Sequence, residues 1–180
     1  MNTQALTQAY DKLIAAARRI EANPYISESD RENVDWRLCH IALSDEILIA
    51  AAQATLDEQI AVVDNCRAMD ARVIASLMER STLSDRIELV RHNGDAFIAR
   101  IASLAEGHGT IEVHLIVHDK KGAVVSNAVM SWYELINLRA ERHLPAHTKS
   151  LAFRERDGSQ LAALTLPRKA LPSVKTSTAD

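Results

Sequence analysis

Between Thr3 and Glu21, apolar side chains recur every three or four residues, at Leu6, Tyr10, Leu13, Ala17 and Ile20. That period predicts an amphipathic helix with one buried stripe. The run Asn23-Pro24-Tyr25-Ile26-Ser27 breaks it. A second helix is expected from a cap at Asn33 or Asp35, through Trp36, His40, Leu43, Ile47 and Leu48, to about Thr55. Trp36, His40, Leu43 and Ile47 share the i, i+4, i+7, i+11 spacing of a core stripe, so His40 is expected to point inward. A third helical region reads from Asp57 to Arg80, with Ile60, Val63, Val73, Ile74 and Leu77 apolar and a polar middle that marks a break or turn. A fourth starts at Thr82 or Ser84, carries Ile87, Val90, Phe97, Ile98, Ile101 and Leu104, and ends at Gly107 and Gly109.

The pattern then changes period. Ile111, Val113, Leu115 and Val117 alternate with polar residues, which predicts a strand over 110–118. Asp119-Lys120-Lys121-Gly122 reads as a turn, with Ala123-Val124-Val125 returning as a short partner strand. Ser131, with Glu134 three residues on, has the spacing of a capping box for a last helix. That helix carries Trp132, Leu135, Ile136, Leu138, Leu144 and Leu151, and Pro145 is expected to kink it. The outline is four or five packed helices with a small hairpin before the last.

Composition supports this outline. The chain has 180 residues, 47% of them apolar and 25% charged, enough to bury a core in one domain. With only 5 Gly and 4 Pro, it favours long helices. Residues 1–155 are expected to form the helical domain and 156–180, rich in Pro, Lys, Ser and Thr, a flexible C-terminal extension. Cys39 and Cys66 lie in apolar helical patterns, so a disulfide framework is not expected and a reducing cytoplasm fits. The N-terminal residues lack the apolar run of a signal peptide, and no segment is apolar enough to span a bilayer. A net charge of -3, from 21 basic and 24 acidic side chains, gives no reason to expect a nucleic-acid partner.

The chemistry concentrates in histidines. His143 and His147 stand four apart, which on a helix puts both imidazoles on one face. His40, on another helix, is placed to complete a set of three neutral imidazoles around a divalent ion, leaving a coordination position open. Neutral imidazole suits zinc, nickel and iron alike. The bland reading stays open: such pairs often face solvent, and a lone buried histidine often serves only as a hydrogen-bonded core residue. His114 and His118 share a strand face, but four residues along a strand separate them by roughly 13 Å, too far for one ion. That face is read as solvated, with His118 at the turn, His92 on a helix surface and His108 in a loop. Asn65 and Asp70 are read as surface or pocket-lining residues, and Cys39 as a small core residue. No GxSxG elbow, glycine-rich phosphate loop or HExxH motif is present.

On these residues the chain resembles the DinB and mycothiol-dependent maleylpyruvate isomerase-like superfamily. The likeness lies in Trp36 followed by His40 and Asp45-Glu46, the central Asp64-Asn65 with Arg67 and Asp70, and the ending SWYELINLRAERHLPAHTKSL. It covers about residues 5 to 152. It implies a mainly α, up-down-down-up four-helix bundle, to which the small β-hairpin read over 110–125 before the last helix is an insertion longer than a minimal bundle needs. It also implies a metal site at one end, held by His40, His143 and His147. The isomerase branch tends to carry glutamate where this chain has His143, which weakens the case for maleylpyruvate isomerisation itself. The function implied is a metal-dependent enzyme acting on a small molecule, either a hydrolase or a thiol-dependent transferase or isomerase. Its cofactors would be a divalent ion (zinc first, nickel or iron next) and a low-molecular-weight thiol, and its assembly a homodimer. A non-catalytic metal-binding or structural dimer is the alternative. The catalytic residues themselves are not assigned.

Overall fold

The computed structural model describes residue 1 and residues 3–151, so the expected extension over 156–180 lies outside the described residues. The chain runs α1 (Thr3–Glu21), α2 (Glu28–Leu56), β1 (Ala61–Asp64), α3 (Cys66–Met69), α4 (Ala71–Glu79) and α5 (Leu83–Ser103). A 3-10 turn (Glu106–Thr110) leads to β2 (Glu112–His118), β3 (Val124–Ser131) and α6 (Trp132–Leu138). A π turn, Arg139–His143, carries α6 into helical residues 144–151. The fold is mainly α, with the β2–β3 hairpin ahead of the C-terminal helical region, as the sequence pattern implied.

Helix α1 occupies the range expected, and every residue of its stripe is buried. Helix α2 starts earlier than expected. Its cap is Ser27, whose hydroxyl accepts from the Asp30 N–H. Asn33 and Asp35 have other partners. Asn33 accepts from Arg37 Nε at 2.8 Å, and Asp35 is buried 2.8 Å from Arg86 Nη2. Helix α2 also packs on two sides. Leu38, Ile41, Ala42 and Leu48 join the main core with α1 and α5, while Cys39 and Leu43 meet Ala68, Ile74 and Leu77 of α3 and α4 in a smaller cluster. Trp36 and Ile47 are half-buried against that second cluster, and His40 is buried as expected.

The third helical region expected over 57–80 is not one helix. It holds β1, a single turn of helix in α3, and α4, capped by Asp70 through the Arg72 N–H. Val63 is buried and Val62 exposed, the alternation of a strand half-covered by the core. Strand β1 pairs in parallel with β2 (Ala61 with Val113 through Asp64 with Ile116), so its partner lies some fifty residues away and leaves no local signature. The hairpin is also longer than expected. β3 pairs antiparallel along β2, from Glu112 with Ser131 to His118 with Val124. Most of β3 is exposed, so its sequence lacks inward-outward alternation. Gly107 and Gly109 lie in the 3-10 turn, beyond the end of α5. Ser131 and Glu134 do form the expected capping box. Next to it, the Trp132 indole is fully buried and donates to Thr55 Oγ1 at 2.9 Å, tying the hairpin's end to α2.

At Gly94, α5 packs directly against the Tyr10 ring of α1. A Cβ there would stand 2.9 Å from the Tyr10 ring. Gly94→Ala is expected to displace that ring and destabilise the protein by about 1–3 kcal/mol. An unchanged urea midpoint would contradict the contact.

Candidate metal centre

His40 lies one turn after Trp36 on α2, and the two rings stack at 5.1 Å between centroids with planes 9° apart. His40 Nδ1 lies 2.9 Å from the Ala68 carbonyl oxygen, which can only accept. Nδ1 therefore carries the hydrogen, and Nε2 keeps its lone pair. Helix α3 is a single turn, and presenting that carbonyl is its contribution to the site.

The other two histidines come from the π turn and the helix beyond it. Pro145 has no N–H to give the carbonyl four residues back, and an α-helical turn there would leave that acceptor unpaired. The chain instead widens, and the Leu144 N–H reaches back five residues to the Arg139 carbonyl. The expected disturbance at Pro145 thus takes the form of a π turn. It does not separate the histidines. Ring centroids lie 4.7 Å apart for His143 and His147, 5.6 Å for His40 and His143, and 5.4 Å for His40 and His147. One nitrogen from each lies within 4.8 Å of the other two. The three histidines singled out in the sequence converge into a cluster capable of coordinating a metal ion. His92 and His114 are exposed, and His108 accepts from the Ala105 N–H in its turn.

All three rings are held neutral. Burial pushes His40 down to about 4, with nearby Arg139 and Arg37 adding to the effect. Burial pushes His147 down to about 3, and His143 lower still, with Arg139 the next cause for His143. Protons therefore compete weakly for these nitrogens, and a cation finds the neutral form it requires.

Arg139 organises the centre. It donates from Nη1 to His143 Nδ1 at 2.7 Å and from Nη2 to Asp45, whose side chain is entirely buried. The Tyr10 hydroxyl donates to the same Asp45 oxygen at 2.5 Å. Burial pushes the Asp45 carboxyl up while the guanidinium pulls it back. Because arginine does not release its proton, the pair stays ionic. Arg37 similarly donates to His147 Nδ1 at 3.3 Å. With their Nδ1 lone pairs engaged, His143 and His147 carry their hydrogens on Nε2. Short of full deprotonation, either ring can offer a nitrogen to a cation only if its arginine contact is released.

A cavity of about 300 Å³ opens beside the cluster. His40, His143 and Arg139 border it, Ile47, Val63 and Leu115 form apolar wall, and Asn65 contributes a polar group. Asp70 is occupied in capping α4. Sequence reasoning missed Arg139 as the partner of His143, although Arg139, His143 and His147 stand at successive four-residue steps. Nothing local could have disclosed the Ala68 carbonyl. Cys39 is buried in the smaller cluster as expected, whereas Cys66, read as part of an apolar helix, is exposed at the start of α3.

Compared with family models, with curated proteins and with solved structures, the chain matches none of them. Among the described residues, no helix is long and apolar enough to cross a membrane.

Two outcomes follow from this geometry. Asp45→Ala leaves the Arg139 guanidinium buried without its counter-charge and is expected to cost about 3–5 kcal/mol in urea unfolding, whereas pairing Asp45→Leu with Arg139→Met recovers most of it. For the metal-free protein, the histidines titrate lower when folded than their ordinary 6.5, so the unfolded chain takes up protons first as acid is added. Their contribution to stability is complete above about pH 6.5 and is lost as pH falls to about 4 and below, at up to ~1.4 kcal/mol per pH unit for each ring. Urea midpoints across that window should fall less steeply for His40→Leu, and equal slopes would count against neutral burial.

Proposed function

We propose that the chain is a metal-dependent enzyme acting on a small molecule, with His40, His143 and His147 as ligands of one divalent ion. The observation that carries this reading is the cavity bordered by two of the three histidines. Among the described residues the cluster has no fourth His, Cys, Asp or Glu ligand, which suits a working site with a position left for water or substrate. Zinc is the first choice, with nickel or iron next, since three imidazoles suit all three. A divalent ion there would supply Lewis acidity, acidifying water or a thiol and polarising a substrate oxygen.

The protein's own groups set the rest. The apolar wall of Ile47, Val63 and Leu115 favours a substrate with an apolar body, its oxygen-bearing end directed toward His40 and His143. The Ala68 carbonyl fixes the His40 ring with Nε2 free for the ion, whereas Arg139 and Arg37 would release Nδ1 of His143 and His147 as those rings bind it. The reaction proposed is hydrolysis or thiol-dependent transfer or isomerisation, the last two using a low-molecular-weight thiol. This is the chemistry of the DinB and maleylpyruvate isomerase-like proteins that the chain resembles in sequence. Residues 1–155 would form the bundle domain, working in the cytoplasm. The exposed Val124, Val125 and Val129 of the edge strand support a homodimer.

Elemental analysis of protein purified without an affinity tag tests the metal assignment. His143→Ala is expected to lose the ion, weakening binding by more than the roughly 10- to 100-fold that loss of an outer partner costs. His108→Ala should retain it. Equal metal content in the two variants would sink the proposal. Retained metal without turnover of any ester, amide or thiol substrate class would leave only the non-catalytic alternative.

A further inference from the structure

A second cluster lies where β1 ends. Asp64, Cys66 and His118 each bring one donor atom within 4.8 Å of the other two. Asp64 closes β1 and Cys66, two residues on, opens α3, while His118 comes from the far end of β2. Asn65 clamps them together. Its side-chain oxygen accepts from the His118 N–H at 2.6 Å, its amide donates to the His118 carbonyl at 3.4 Å, and its own N–H bonds Ile116. The Asp64 carboxylate is itself oriented, accepting from the Cys66 N–H at 2.8 Å.

The sequence reading of His118 as a solvated turn residue does not hold. Its side chain is only 12% exposed. Nδ1 lies 3.2 Å from the Gly122 carbonyl oxygen, to which it must donate, leaving the lone pair on Nε2. That nitrogen is buried and has no hydrogen-bond partner, although Asp64 Oδ1 stands 3.1 Å away. Held this close, Nε2 and the carboxylate oxygen need a positive charge between them, either a proton that makes the pair ionic or a metal ion. A cation would supply the missing attraction. Two ligands each about 2.0 Å from one ion at the tetrahedral angle stand about 3.3 Å apart, close to the separation seen. A backbone carbonyl behind the far ring nitrogen is also the usual support of a metal-bound histidine. Two of the nearby basic groups are engaged elsewhere. Arg67 pairs with Glu46 at 2.6 Å, and the Lys120 ammonium sits 3.9 Å over the Trp36 ring.

We propose that Asp64, Cys66 and His118 form a second cation site, selective for a zinc-class divalent ion, at the end of the sheet beside the cavity. The selectivity follows from the donor set. One thiolate, one imidazole and one carboxylate suit a borderline-soft ion better than magnesium or calcium. Binding requires the Cys66 thiol to release its proton to water, forming the Cys66 sulfur–metal bond. Of its three donors, His118 also borders the cavity beside the histidine trio, whereas Cys66 lines a separate surface pocket with Met69 and Asp70.

Cobalt(II), added to the reduced, metal-free full chain, is the probe, because a thiolate ligand produces a near-ultraviolet charge-transfer band that three imidazoles cannot. The band is expected in the parent protein and in His143→Ala, and is expected to vanish in Cys66→Ser and in His118→Asn. Cys66 is exposed, so Cys66→Ser should keep the parent's helical circular dichroism. Absence of the band from the parent protein, or its survival in Cys66→Ser or His118→Asn, would overturn the site. Loss of the band in His143→Ala would overturn its independence from the trio. Failure of the three-histidine proposal leaves the expected band untouched, so the two readings are separable.

Discussion

The ion pair between Asp45 and Arg139 is the contact on which the centre of this molecule depends. A guanidinium keeps its proton under any ordinary condition, so burying one requires a carboxylate beside it. Asp45 provides that charge from within α2, and the Tyr10 hydroxyl of α1 completes it. The remaining donors of Arg139 then decide the state of His143. One buried pair thus joins three helical stretches and orients an imidazole. Asp45 Oδ2 and Arg139 Nε remain without hydrogen-bond partners, so the pair is held by charge and enclosure more than by a saturated network.

Around that pair the structure keeps three imidazoles together without charging them. Like-charged rings at such separations would repel, and burial removes the water that would screen them. Neutral rings are what a cation would require, and the arginine donors on His143 and His147 are the contacts it would have to displace. The π turn belongs to the same design. Pro145 would disrupt an α-helical register between the histidines, and the widened turn absorbs that disruption one residue before it.

The small sheet supplies what a pure bundle would lack. β1 and β2 give the cavity Val63, Leu115 and Val117, and their adjoining ends bring Asp64, Cys66 and His118 together. This was also the part least visible beforehand. A strand of four residues with a parallel partner far along the chain leaves almost no periodic trace, and Ile60, Val63 and Val73 fit a helical spacing equally well. His118 was misread for a related reason. The two residues that enclose it, Asp64 and Asn65, lie in the stretch assigned to a helix.

What could be read directly was local. The range of α1, the capping box at Ser131 and Glu134, the inward side of His40 and the i, i+4 relation of His143 to His147 all follow from spacing within one element. Side-chain direction on a helix repeats with a fixed period, so the order of residues is enough to determine it. The meeting of His40 with the other two, the Ala68 carbonyl behind it and the donors on His143 and His147 depend on how separate elements pack. So do the pairing of β1 with β2 and the cluster at their ends. Those contacts arise only when burial of apolar surface brings distant segments together, and no spacing along a single stretch of chain records which segments will meet.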